Sequence, residues 1–276
     1  MKIICAILLA DGVLFAAAKP APDQDALLEK IRSRTAEYLE QLPHYTCHEV
    51  ISRLVRRGSQ WTRDDVVELE VAFIGREEFF ARSGEDHFEE RVIDRVVPHG
   101  TIGNGAFGSV VKIIFTPDVA DFQYAGTGKK DGHQTIRINF SVPLEKSQFM
   151  VKHGGNQSLV PFEGSIWVDA ATLDLVRVDL QVKHIPAYVG LRYVEEMLHY
   201  ETMHIGSEPV LLPHKSELGV ADELGNYSLN LVELQQCREF KSNSVVTYGA
   251  PVEGSGPREG FASREGSPSR EHPDQH

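Results

Sequence analysis

Gly103, Gly105 and Gly108, with Phe107 before the third glycine and Val110 two residues after it, reproduce the G-x-G-x-x-G-x-V spacing that cradles phosphates in dinucleotide-binding and kinase folds. Their surroundings do not fit either role. Val96, Val97 and Pro98 lead into the glycines where a dinucleotide fold needs a strand, and no βαβ pattern follows. Neither H-R-D nor D-F-G occurs downstream. The glycines are therefore expected to turn a loop tightly into a helix, with no nucleotide bound. The 12 histidines invite a metal reading, with His44 near His48, and His199 near Glu201 and His204. Five positions apart on a strand, His199 and His204 face opposite ways, and H-E-x-x-H and C-x-x-C are both missing. No metal site and no cofactor are expected. G-x-S-x-G is missing too, and adjacent carboxylates such as Asp64 and Asp65, or Glu195 and Glu196, read as solvated surface. Asp169 and Asp174 bracket a turn without the ligand spacing calcium requires. The chain reads as a non-enzyme.

Cysteine usage points to a compartment. Met1 and Lys2 precede an apolar run to Ala18 that is interrupted at Asp11, and Ala16, Ala17 and Ala18 supply small residues for cleavage. Residues 1–18 are expected to be a secretory signal, and the protein to be exported, periplasmic or extracellular. Of the three cysteines, Cys47 and Cys237 remain after cleavage, and an oxidising compartment would join them, tying the first strand to the last. Losing Lys2 and Asp11 leaves the net charge at -12. That balance disfavours nucleic acid and anionic membrane surfaces as partners.

The elements follow from hydrophobic period. Leu27, Leu28, Ile31, Thr35, Tyr38, Leu39 and Leu42 recur at three and four, after Asp23 as an N-cap and before Pro43 as a stop, so 22–42 is predicted to be a helix packed on the core. Alternation predicts strands over 45–56, 66–74, 77–81, 122–125, 134–142, 148–152, 158–162, 193–205, 210–218 and 227–240. Near-helical spacing predicts helices over 87–97 and 106–115. The strongest signal spans 164–183. Val176, Val178, Leu180 and Val182 alternate with Arg177, Asp179, Gln181 and Lys183, while Asp169, Thr172 and Asp174 supply a turn after Ile166, Trp167 and Val168. Such a hairpin makes the fold α+β with an antiparallel sheet, in a single domain over 19–248. Residues 249–276 are rich in Gly, Pro, Ser, Arg and Glu and are expected to be disordered.

If the mid-chain helix lies in the hollow of a curved sheet, Phe107, Val111, Ile114 and Phe115 would face Ile138, Phe140, Phe162 and Trp167. These residues would form either plain core or the lining of a hydrophobic ligand site. Strand alternation puts Trp167 opposite Ile166 and Val168, so the ligand reading weakens first if Trp167 meets solvent.

The run from Gly164 through Trp167, Asp169, Thr172 and Arg177 resembles the turn and Arg-bearing strand of periplasmic lipoprotein-carrier and sigma-regulator half-barrels, the LolA, LppX and RseB superfamily. Leu42 to Cys47, Gly100 to Ile102, Phe107 with Gly108, and Ile185 with Pro186 are similar to a group of exported bacterial proteins. The resemblance implies an incomplete β-barrel wrapped around a few helices. It also implies a non-enzymatic function, holding a lipid, acyl chain or lipoprotein in an apolar hollow. The alternative is a cell-envelope protein-interaction or sensor module without a ligand cavity, whose partner is an envelope protein.

Overall fold

The computed structural model describes residues 23–75, 77–88, 93–103 and 109–240. The expected signal and tail lie outside those residues, as does Phe107. Helix α1, Gln24–Gln41, begins where Asp23 accepts hydrogen bonds from the backbone N–H groups of Asp25 and Ala26 at 3.2 and 3.3 Å. It ends before Pro43, and Ile31 and Thr35 are its buried residues. A second helix, α2, spans Ser109–Phe115.

Twelve strands account for most of the remaining described residues. They are β1 Tyr45–Arg57, β2 Gln60–Ile74, β3 Glu77–Arg82, β4 Asp121–Lys130, β5 His133–Val142, β6 Met150–His153, β7 Asn156–Leu159, β8 Phe162–Asp169, β9 Leu175–Val182, β10 Leu191–Ile205, β11 Glu208–Asp222 and β12 Tyr227–Glu239. Ten form one antiparallel sheet in the order β3-β2-β1-β12-β11-β10-β9-β8-β5-β4, while β6 and β7 pair separately. The end strands β3 and β4 do not pair, so the curved sheet stays open. The fold is thus α+β with an unclosed antiparallel sheet.

The 164–183 hairpin forms as its residues dictate. Asp169 accepts from the N–H groups of Ala171 and Thr172 at 2.8 and 3.1 Å, and Leu173 adopts φ 63° to close the turn. Cys47 on β1 and Cys237 on β12 are joined, linking the first and last strands of the chain, which are neighbours in the sheet.

Several elements depart from the expectation. Of the helix expected over 87–97, residues 89–92 lie outside the described residues, and the described remainder holds one 3-10 turn, Ile93–Arg95, with Ile93 and Val97 buried. The strand expected over 158–162 is split between β7 and β8 at Val160 and Pro161, since a proline cannot donate to the ladder. Pro213 lies inside β11, in a strand that runs beyond both ends of the expected 210–218. It is tolerated there because the register with β10 shifts between His199 and Tyr200, so the ladder is already broken opposite it.

On the inner face the apolar side chains form two clusters. The larger lies under α1 and α2, with Ile31, Val111 and Ile114 packed against Ile138, Phe140, Ile166, Val178, Leu180 and Leu198. The smaller covers β1 and β2 through Ile51, Leu69, Val71, Phe80, Ile93 and Val97. A row of directly opposed residues, Arg53, Asn230, Leu218 and Glu196, crosses β1, β12, β11 and β10. Three of the four are polar, and their buried groups need partners. Arg53 pairs with Asp65 and donates to the His99 carbonyl, while Asn230 donates to the Thr101 carbonyl at 2.8 Å. These bonds pin the 99–101 segment over the sheet. Gly100 is favoured there because its φ of 83° is a left-handed conformation that other residues rarely adopt.

Candidate functional site

Two hollows lie on opposite faces of the sheet. The inner one is a crevice of about 140 Å³ between the first turns of α1 and the edge strand β4, lined by Leu27, Leu28, Phe122, Tyr124 and Ile138 together with the polar Gln24, Asp25 and Gln123. Ile138 also belongs to the larger apolar cluster, so the crevice opens onto it. Five of the residues expected to line a hydrophobic site come together in that cluster: Val111, Ile114, Ile138, Phe140 and Phe162. Phe140 and Phe162 meet edge-to-face at 6.0 Å. Phe115 is half-buried beside them and tilts against Phe122 at 5.4 Å.

Trp167 is the departure. Its neighbours Ile166 and Val168 face the helices, so alternation sends Trp167 to the other face of the sheet. There Lys130, Arg137 and Arg177 lie over its ring at 4.7, 5.4 and 5.9 Å. Trp167 does not join the inner crevice or the apolar cluster behind it.

Beneath α1 the packing includes polar groups that sequence reading left out. Tyr38 on α1 meets Tyr200 on β10 edge-to-face at 6.4 Å. The Tyr38 and Tyr200 hydroxyls and the Thr35 Oγ1 are buried without a hydrogen-bond partner among the described residues. Burial pushes both phenols well above their ordinary value, with Tyr38, Tyr45 and Glu196 adding to the effect at Tyr200. Burial likewise raises the Glu196 carboxyl to about 7 and that of Glu49, on β1, to about 8. In sequence these residues read as an ordinary strand and helix, and only their burial makes them unusual.

The second hollow, about 460 Å³, lies on the outer face around Gly164. Gly164 is opposed by Leu180, and a Cβ there would run into the Asp179 carbonyl oxygen. The close approach of β9 therefore requires glycine. One row of opposed side chains across this face is Arg137, Trp167, Arg177 and His199, and the next is Asn139, Ser165, Asp179 and Met197. The hollow was invisible in sequence because outward polar positions on strands look alike whether they meet solvent or a cavity.

Among the described residues no three His, Cys, Asp or Glu side chains gather as a metal site. No described helix is long and apolar enough to cross a membrane.

The class of protein defined by this geometry is an open antiparallel half-barrel carrying helices on its inner face. Neither a protein family nor a curated protein matches the sequence. Among solved structures the chain is similar to a LolA superfamily protein from Nitrosomonas europaea, with 9% identity and a TM-score of 0.41 over 78% of this chain and 94% of that one. It is also similar to a putative outer membrane lipoprotein-sorting protein domain from Vibrio parahaemolyticus, with 10% identity and a TM-score of 0.38 over 77% and 91%. The lipoprotein LppX from Mycobacterium tuberculosis gives 11% identity and a TM-score of 0.26 over 77% and 97%. These are members or relatives of the grouping that the 164–183 hairpin resembles. At such scores the likeness carries no functional argument, which rests on the hollows themselves.

Proposed function

We propose that the protein is an exported, non-enzymatic carrier or binding module that takes a hydrophobic ligand, a lipid, acyl chain or lipoprotein, between α1 and the sheet. The observation that carries this reading is the crevice beside Leu28 and Tyr124, continuous with the apolar cluster under α1. At about 140 Å³ it is smaller than the roughly 300 Å³ of an ordinary small-molecule pocket, so a ligand enters only as α1 moves outward. The buried hydroxyls of Thr35, Tyr38 and Tyr200 support such movement. Each unpaired group costs about 1–3 kcal/mol in the closed state, and an ester or headgroup arriving with the ligand would satisfy it.

The test is extraction of the purified protein for co-purified lipid, with titration of a fluorescent fatty acid. Uptake is expected, and Leu28→Trp, which fills the crevice, should reduce it at least tenfold while leaving the fold intact by circular dichroism. No co-purified lipid and no uptake would sink the proposal. The small volume of the crevice favours one second reading, an envelope protein-interaction module whose interior is plain core. That reading expects a specific envelope partner by crosslinking and no response to Leu28→Trp.

A further inference from the structure

The outer hollow of about 460 Å³ is unused by the inner-face reading, and its charges are unevenly matched. Its three lining carboxylates are already engaged. Glu163 takes Lys183 at 2.5 Å and Gln181 at 3.3 Å. Asp179 takes the Arg177 Nε at 2.5 Å, and Glu195 accepts the hydroxyls of Tyr193, at 2.9 Å, and Tyr227. Arg137 differs. Its Nε donates to the Ser165 hydroxyl at 3.1 Å, and among the described residues no carboxylate lies within ion-pair distance of its guanidinium. Both terminal nitrogens thus keep their donors. Ser165 passes its own proton to the Asn139 carbonyl oxygen at 2.9 Å, which leaves the Asn139 amide NH2 without a partner among the described residues.

Unpaired donors of Arg137 and Asn139 thus gather beside one flat apolar surface, while Glu195, held by two phenol hydroxyls, has no cationic partner among the described residues. Lys130, also without a carboxylate partner among the described residues, lies 4.7 Å from the Trp167 ring and adds a second positive charge. Met197 and the gap over Gly164 supply the apolar part of the wall. A planar carboxylate fits a guanidinium fork by two parallel hydrogen bonds, and the cavity volume is that of a small molecule.

We propose that this outer hollow binds a small organic carboxylate, its anionic group on Arg137 and Asn139 and its apolar body against Trp167 and Met197. The site is separate from the crevice under α1, so either can fail without the other. The probe is 2-naphthoate, titrated into the full chain by calorimetry and by tryptophan fluorescence in a Trp61→Phe background, which leaves Trp167 as the single reporter of the two tryptophans. Binding with quenching of Trp167 is expected, weakened about tenfold or more by Arg137→Gln and less by Arg137→Lys, which keeps the charge and loses the fork. Leu28→Trp adds a tryptophan, so it is read by calorimetry alone, where naphthoate binding should be unchanged. Equal affinity for uncharged 2-naphthylmethanol or for inorganic phosphate would overturn the proposal, as would affinity indifferent to Arg137→Gln. Loss of naphthoate binding in Leu28→Trp alone would move the ligand to the inner crevice and overturn it equally.

Discussion

Glu49 offers the sharpest check of the energetics. It lies on the inner face of β1, 3% exposed, between Leu69 and Leu234 on the flanking strands. Its Oε2 has no hydrogen-bond partner among the described residues, and burial raises its carboxyl from 4.5 to about 8. An acid whose folded value exceeds its unfolded one holds more protons folded than unfolded between those two values, so stability falls as pH rises through that window. Below about pH 4.5 both states are protonated and the cost vanishes; above about pH 8 both are ionised and the cost is complete. The gap corresponds to on the order of 4 to 5 kcal/mol across the window, about 3 of it reached by pH 7. Guanidinium unfolding of the oxidised protein at about pH 5, 6, 7 and 8 reads this directly when the wild type is compared with Glu49→Gln. The general repulsion of a chain at net charge -12 acts nearly equally on both proteins, so their difference isolates Glu49. The variant should gain on the wild type steadily with pH, by about 2 to 3 kcal/mol between pH 5 and pH 7. Parallel stability curves would refute the reasoning and mean that Glu49 is solvated or paired in solution.

Other consequences follow from particular contacts. Glu196→Gln should show the same sign with a narrower window, since burial lifts that carboxyl only to about 7, and the same pH series measures it. Replacing both Cys47 and Cys237 by Ala opens a loop with a sequence separation of 190, and should lower the unfolding free energy by roughly 5 kcal/mol in the chain-entropy picture. A midpoint unchanged under non-reducing conditions would show that the bridge does not form. Gly164→Ala forces β8 away from the Asp179 carbonyl and should cost about 2 kcal/mol or more, read as a drop in thermal midpoint. Tyr38→Phe removes a buried hydroxyl that has no partner among the described residues, so it should be neutral or stabilising by up to about 1 kcal/mol; a clear loss would reveal a hidden partner.

Much of the architecture was written along the chain. Period two in 175–182 and 134–142 can be satisfied only by strands with one buried face, and the stripe from Leu27 to Leu39 after Asp23 only by a capped amphipathic helix. The Asp169 and Thr172 turn closes through bonds within a few residues of each other, so local chemistry sufficed to foresee it. Cysteine number and an expected export signal were enough to pair Cys47 with Cys237. What alternation could not supply was which partner covers each face. Trp167 has the composition of a pocket residue, yet the register that puts Ile166 and Val168 under the helices places it among Arg137, Arg177 and Lys130 on the other side. Glu49 and Glu196 read as ordinary strand residues, and they become perturbed acids only because the covering layer removes water from them. The β8–β9 hairpin under the outer hollow was legible, but its walls come also from Arg137 and Asn139 on β5 and from Tyr193, Glu195 and Met197 on β10, and no local pattern announces that those strands flank it. Local hydrogen bonding and hydrophobic period thus determined the elements. Long-range desolvation and close backbone approach, which depend on what is packed against what, decided where chemistry can occur.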